Sequence, residues 1–174
     1  MNRVLIVDDE PAVLGALRRG LRLHFGARLQ VDLQVDALQA LAQARTQPYD
    51  LVISDLRMPA MDGLDFLAGF ARLQPDCVRM VLTGSAGFDT AQRAINAIGV
   101  FRYLTKPWSD EALARQVQAA LDQARHQRQV AASLQGQVGT PQERERRRLE
   151  SLEPGITHVE WGPQGEVLMP GAGP

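Results

Sequence analysis

Val4-Leu5-Ile6-Val7 runs directly into Asp8-Asp9-Glu10 and then Pro11. Four apolar residues bounded by acids and a proline read as a short buried strand, then a helix opening at its favoured first position. The same construction recurs along the chain. Leu51-Val52-Ile53-Ser54 precedes Asp55, and Val78-Arg79-Met80-Val81-Leu82 precedes Thr83. Val100-Phe101-Arg102-Tyr103-Leu104 precedes Thr105-Lys106-Pro107. In an open parallel sheet, ligand sites form beyond the carboxyl ends of the strands. Acids, a hydroxyl and a lysine far apart in sequence are therefore expected to meet at one sheet edge.

Strand and helix signals alternate from residue 3 to about residue 125. Helix one starts at Pro11 and keeps Val13, Leu14, Leu17 and Leu21 on one face. A second strand fits Leu29 to Leu33, where Leu29, Val31 and Leu33 alternate with polar residues. Ala37 to Ala44 reads as helix two, with Leu38 and Leu41 facing the sheet. Helix three follows Asp62-Gly63, helix four spans about Asp89 to Ile98, and helix five opens at Ser109-Asp110-Glu111. Five such units call for a doubly wound α/β architecture, a parallel sheet covered on both faces.

Helix five overruns this domain. Leu113, Val117, Ala120, Ala124, Gln127, Ala131, Leu134 and Val138 follow the alternating four-and-three spacing of a coiled-coil seam. Two readings stay open: self-association along that seam, or packing by its first residues only and a solvated remainder. Gly136 and Gly139 are expected to break the helix. Thr140-Pro141-Gln142-Glu143 has capping-box spacing, so a short helix to about Leu152 follows, ended by Pro154-Gly155. Ile156 to Trp161 and Glu166 to Met169 then flank a Gly162-Pro163-Gln164-Gly165 turn, a β-hairpin that is marginal alone and needs a packing partner. The expected divisions are 1–125 for the domain, 126–139 for the helix extension and 140–174 for the tail.

With 45% hydrophobic residues the chain can bury a real core, and its net charge of -1 gives no bulk attraction to nucleic acid or anionic lipid. Glu143, Glu145, Glu150 and Glu153 balance Arg144, Arg146, Arg147 and Arg148, so no direct DNA binding is expected. No apolar run approaches the roughly 20 residues that span a membrane. The first residues lead straight into a strand with no secretory pattern. Cys77 is the single cysteine, read as a buried thiol, and the cytoplasm is the expected compartment. His24, His126 and His158 have no metal-ligand spacing. Trp108 and Trp161 are each open to two readings, a partner anchor or an internal packing residue.

The chemistry follows from the strand ends. Asp8, Asp9 and Asp55 fall on neighbouring strands at the switch point of a 2-1-3-4-5 sheet. Two carboxylates about 4 Å apart repel by roughly 4 kcal/mol at an effective dielectric of 20. A divalent cation removes that penalty, and an oxygen-only site suits Mg2+. Thr83 adds a hydroxyl and Lys106 a mobile positive charge. A cation, an ammonium and a hydroxyl around one carboxylate can hold three phosphoryl oxygens, which makes Asp55 the nucleophile for an aspartyl phosphate.

Asp8-Asp9, Asp55-Leu56-Arg57-Met58-Pro59-Ala60-Met61-Asp62-Gly63, Thr83-Gly84 and Lys106-Pro107 together resemble the receiver domain of two-component response regulators, over residues 3 to about 125. The resemblance implies a CheY-like, flavodoxin-like (βα)5 fold. It implies that Asp55 accepts phosphate from a phosphohistidine on a sensor histidine kinase or phosphotransfer protein. Asp9 would ligate magnesium directly, Asp8 directly or through water, with Asp55 and the backbone carbonyl of Arg57 completing the protein ligands. Thr83 and Lys106 would hold phosphoryl oxygens, Tyr103 would be the switch aromatic, and the Lys106–Pro107 bond would be cis. Arg57 and Ser85 would flank the route of hydrolytic water and tune dephosphorylation. Such a protein is not an enzyme beyond its own phosphoryl transfer and autodephosphorylation.

After residue 125 no helix-turn-helix, cyclase or phosphodiesterase motif is recognisable, so output by protein contact is expected, with a homodimer through helix five or the tail as one form. Two alternatives belong to other classes. A scaffold would keep the fold without using phosphorylation. A phosphatase of the haloacid dehalogenase type would need Asp-x-Asp after its first strand, and Asp8-Asp9-Glu10 lacks that spacing.

Overall fold

Strand residues here alternate between two apolar layers, and that alternation organises the molecule. The computed structural model describes residues 1–84, 98–137 and 149, together with strand residues 160–161 and 167–168. The chain divides into two compact units, Met1–Gln129 and Val130–Pro174.

The first unit holds β1 (Asn2–Val7), α1 (Pro11–Phe25), β2 (Leu29–Gln34), α2 (Ala37–Ala44), β3 (Leu51–Asp55), α3 (Gly63–Leu73), β4 (Val78–Thr83) and β5 (Arg102–Thr105). A long helix, Asp110–Gln137, follows and crosses into the second unit's span. The five strands form one parallel sheet in the order β2-β1-β3-β4-β5. That is the flavodoxin-like order read from the sequence. In the second unit, Glu160–Trp161 pairs antiparallel with Val167–Leu168. The expected helix between residues 89 and 98 and most of the expected short helix after Thr140 lie outside the described residues.

Because successive strand side chains point to opposite faces, β1 feeds both layers. Val4 and Ile6 join Leu14, Leu17, Leu21, Ile53, Met80, Leu113 and Val117 on one side. Leu5 and Val7 join Ala40, Val52, Phe66, Leu67, Phe70 and Val81 on the other. Both faces are thus dry, which is why the strands read as continuous apolar runs. Gly20 lets the long helix approach α1: a Cβ there would fall 2.6 Å from Asp110 Oδ1 and 3.2 Å from Leu113 Cδ2.

One sequence expectation needs correction. Leu38 does not face the sheet but is 59% exposed. The buried face of α2 is Ala37, Ala40 and Ala44, at helical spacing of three and four, and Leu38 lies about 100° round from Ala37. The long helix is described as far as Gln137, between the two glycines expected to end it, and Gly139 lies outside the described residues. Of the seam residues, Leu113, Val117, Ala120 and Ala124 are buried, whereas residues 125–133 are exposed. Trp108 packs, half-buried, against the layer containing Leu113.

At the sheet's amino-terminal end a polar network fastens the strands. Asp50 accepts the backbone N–H of Arg3 at 2.7 Å and pairs with Arg128 of the long helix at 2.5 Å. Gln74 donates to the carbonyls of Ala44 and Gln47 and accepts the Tyr49 N–H. Buried Tyr49 donates its hydroxyl to Asp32 at 2.9 Å.

Cys77 is buried at the start of β4, and burial pushes its thiol up to about 12, against a smaller opposing pull from Arg79. Thiolate is the reactive species. Native protein at pH 8 is therefore expected to resist Ellman's reagent, while one thiol reacts after guanidinium unfolding. Rapid labelling of the native chain would contradict this burial.

Candidate functional site at the carboxyl edge of the sheet

Asp55 is the last residue of β3, Thr83 the last of β4, and Asp8 and Lys106 are the first residues beyond β1 and β5. Register places Val7 opposite Ser54, Asp55 opposite Leu82 and Thr83 opposite Thr105. The four candidate side chains are thereby brought to one edge. Asp8, Asp55 and Thr83 are all buried, which is unusual for carboxylates without partners.

Their partner is Lys106. Its ammonium lies 2.8 Å from Asp8 Oδ2 and 2.6 Å from Asp55 Oδ1. The remaining carboxylate oxygens accept backbone donors: Asp8 Oδ1 from the Glu10 N–H at 2.9 Å, Asp55 Oδ2 from the Arg57 N–H at 2.7 Å. Burial pushes the Asp8 carboxyl above its ordinary range; Lys106 and the Glu10 N–H pull it back without overcoming that, and the Asp55 charge adds to the rise. For Lys106, burial acts to lower the ammonium's pKa, but hydrogen bonds and charge from Asp55 and Asp8 outweigh it and leave it raised.

Other expected residues lie close by in chain but differ in posture. Thr83 donates its hydroxyl to the Gly84 carbonyl at 2.9 Å. Tyr103 is 40% exposed on β5. The Lys106–Pro107 peptide bond is cis, and the Lys106 N–H donates to the Thr83 carbonyl at 2.8 Å. Arg57 is exposed beside Asp55, and Ser85 lies outside the described residues.

Among the described residues, no three His, Cys, Asp or Glu side chains are gathered into a metal-holding group. The expected trio is instead a buried pair, Asp8 and Asp55, bridged by lysine, with Asp9 exposed next to it. The donor chemistry nevertheless fits magnesium. The set is oxygen-only, and one ammonium against two buried carboxylates leaves one negative charge uncompensated.

Gly63, the last residue of the Asp55–Gly63 run, is constrained by close approach to the site's backbone. The loop after Asp55 folds back so that the Gly63 N–H donates to the Leu56 carbonyl at 2.9 Å. A Cβ on Gly63 would fall 1.9 Å from the Asp55 carbonyl oxygen. A glycine at the first position of α3, after a capping Asp62 that accepts the Leu64 N–H, is the signal of such a close approach. Buried Ser54 donates its hydroxyl to the same Asp55 oxygen at 2.9 Å.

The response regulator receiver domain family matches residues 4–118. This chain belongs to that family. The receiver is 33% identical over 119 residues to the hydrogenase transcriptional regulatory protein HoxA of Cupriavidus necator, covering 68% of this chain and 24% of that one. It is 37% identical over 121 residues to the transcriptional regulatory protein GlrR of Escherichia coli, covering 70% and 26%. The receiver therefore spans about a quarter of the length of these curated relatives. Among solved structures, an adenylate cyclase from Rhodopirellula baltica matches with a TM-score of 0.71 at 29% identity, covering 78% of this chain and 98% of that one. The signal receiver domain of an HD domain-containing protein from Pseudomonas fluorescens matches with a TM-score of 0.67 at 32% identity, covering 74% and 92%. Among the described residues of the receiver, no helix is long and apolar enough to cross a membrane.

Proposed function

We propose that this receiver takes a phosphoryl group from the phosphohistidine of a sensor kinase or phosphotransfer protein onto Asp55, and signals the change by protein contact. The observation that carries this reading is the Asp8–Lys106–Asp55 bridge at the carboxyl edge of the sheet. A buried carboxylate ending a central strand, with an ammonium 2.6 Å away, is placed to act as a nucleophile whose product charge is already matched. An Asp55 oxygen attacks phosphorus, the O–P bond forms, and the P–N bond breaks with its electron pair leaving on the imidazole. Lys106 exchanges a carboxylate oxygen for a phosphoryl oxygen, and the Thr83 hydroxyl leaves the Gly84 carbonyl to donate to another. Asp8, Asp9, Asp55 and the backbone carbonyl of Arg57 would hold magnesium, which when bound would supply positive charge against the charge developing on the phosphoryl group.

The output is a population shift. Phosphate adds donors' partners that exist only in the arrangement with Thr83 turned inward, so that arrangement gains weight. Tyr103 turns in behind Thr83, changing the surface around β5 and the long helix. Arg57, exposed at the mouth of the site, and Ser85 govern water access to the acyl phosphate. Residues 1–125 form the switching domain. Residues 126–139 and the tail 140–174 carry its contacts, a homodimer among them, in the cytoplasm.

Intact mass after treatment with acetyl phosphate tests this directly. Wild type is expected to gain about 80 Da, one phosphoryl group, only when magnesium is present, and Asp55→Asn to gain nothing. Failure of fresh wild type to gain mass or to bind beryllofluoride would transfer the assignment to a phosphorylation-independent scaffold.

A further inference from the structure

The edge strand β2 carries an open hydrogen-bonding edge beside an unneutralised basic helix face, and nothing in the phosphoryl chemistry uses either. Among the described residues β2 ends the sheet, paired on one side only, with β1. The Gln34 carbonyl accepts from the Asp8 N–H, so it points towards β1. Backbone groups alternate along a strand; the N–H and C=O of Val31 and Leu33 therefore point away from the sheet.

A cleft of about 480 Å3 lies along this edge, lined by Arg18, Arg22, Gly26, Ala27, Leu29 and Val31. Its floor is apolar, since Leu29 is buried and Val31 half-buried against the α1 layer. Its wall is basic. Arg18 and Arg22 are one helical turn apart, both exposed, and among the described residues neither is in an ion pair. Helix α1 contains no acid between Pro11 and Phe25. In a chain of net charge -1, two uncompensated arginines over an apolar strand edge form a local departure from the overall balance.

We propose that this cleft is a docking site for an extended acidic peptide segment of a partner protein, which adds to the sheet beside β2. Main-chain hydrogen bonds to Val31 and Leu33 supply the pairing, apolar side chains of the segment cover Leu29 and Val31, and its carboxylates meet Arg18 and Arg22. Charge complementarity selects the occupant: a basic or neutral segment gains nothing from the arginine wall. A nucleic acid would gain the arginines but not the apolar floor or the strand edge. The cleft runs from Arg18, at the middle of α1, to Gly26 and Ala27 just past its carboxyl end.

The test uses the full chain and a short fluorescein-labelled peptide of repeating Glu-Ser-Val-Ser, which sets glutamate and valine in turn along one strand face, followed by fluorescence anisotropy. Saturable binding is expected, weakened by raised salt. Arg18→Glu with Arg22→Glu turns two exposed attractions into repulsions and is expected to weaken binding about tenfold or more. These positions are solvent-exposed on a helix, and unchanged circular dichroism establishes that the variant is folded. A peptide of the same composition, N-methylated at alternate residues, keeps its charge but loses the strand donors, and is expected not to bind. The proposal is overturned by an absence of saturable binding, by equal binding of the N-methylated peptide, or by tighter binding of a single-stranded oligonucleotide of equal charge. It is also overturned if the double arginine variant binds like wild type.

Discussion

Gly63→Ala is expected to destabilise the domain by about 3 kcal/mol or more, at the upper end of overpacking costs. The added methyl would sit 1.9 Å from the Asp55 carbonyl oxygen, 2.9 Å from its carbonyl carbon and 3.0 Å from Leu56 Cα. All three are main-chain atoms of a strand end and the residue after it, so no side-chain rotation relieves the clash. Either the start of α3 lifts, breaking the Gly63 N–H bond to the Leu56 carbonyl, or the β3 terminus moves and takes the Asp55 carboxylate with it. Urea unfolding gives the first quantity. Phosphorylation by acetyl phosphate in the surviving folded fraction gives the second. A variant with wild-type midpoint and wild-type phosphorylation would show that the loop yields more easily than its packing implies.

Lys106→Met should produce the second large effect, and one whose size depends on pH. Removing the ammonium leaves Asp8, 0% exposed, and Asp55, 7% exposed, facing each other without a counter-charge. Breaking a buried pair by deleting one partner costs about 3–5 kcal/mol. Lys106 is 23% exposed, and a carboxyl can escape by taking up a proton, so about 2–3 kcal/mol is expected at pH 7. The sign with pH is definite. The Asp8 pKa is already raised by burial, and loss of the lysine removes the strongest influence opposing that rise. A carboxyl whose folded pKa exceeds its unfolded value binds protons more tightly when folded. Its ionised form costs stability above the folded pKa, and that cost disappears as pH falls through it. The stability gap between wild type and Lys106→Met should therefore narrow from pH 7 towards pH 5. Thermal unfolding of both proteins across that range checks it, and a gap that widens on acidification would rule out the pairing as the cause.

What the sequence discloses and what it conceals divide along a physical line. The sheet edge is legible because each strand is a short apolar run stopped by a polar residue, and parallel topology then forces those stops together. Asp8, Asp55, Thr83 and Lys106 need nothing more than that rule to be placed. Helix boundaries are legible where local chemistry sets them: Asp36 caps α2 by accepting the Leu38 and Gln39 N–H groups, and Pro11 opens α1. Features set by approach in space are not. Leu38 has the composition of a core residue, but α2 presents Ala37, Ala40 and Ala44 inward and leaves Leu38 in water. The lysine's choice to bridge Asp8 and Asp55, and the retreat of Thr83 to the Gly84 carbonyl, depend on distances of a few tenths of an ångström. Gly63 reads as a helix start, and its real constraint is an oxygen two turns of loop earlier in the chain.

Asp50 gives the long helix a property its own sequence lacks. Beyond Ala124 every described side chain of that helix is in water, where a last turn would ordinarily fray. Arg128 reaches back to the same carboxylate that holds the Arg3 amide, so the turn containing it is tethered to the first and third strands. A twisting load applied at residue 128 is then delivered to the foot of the sheet.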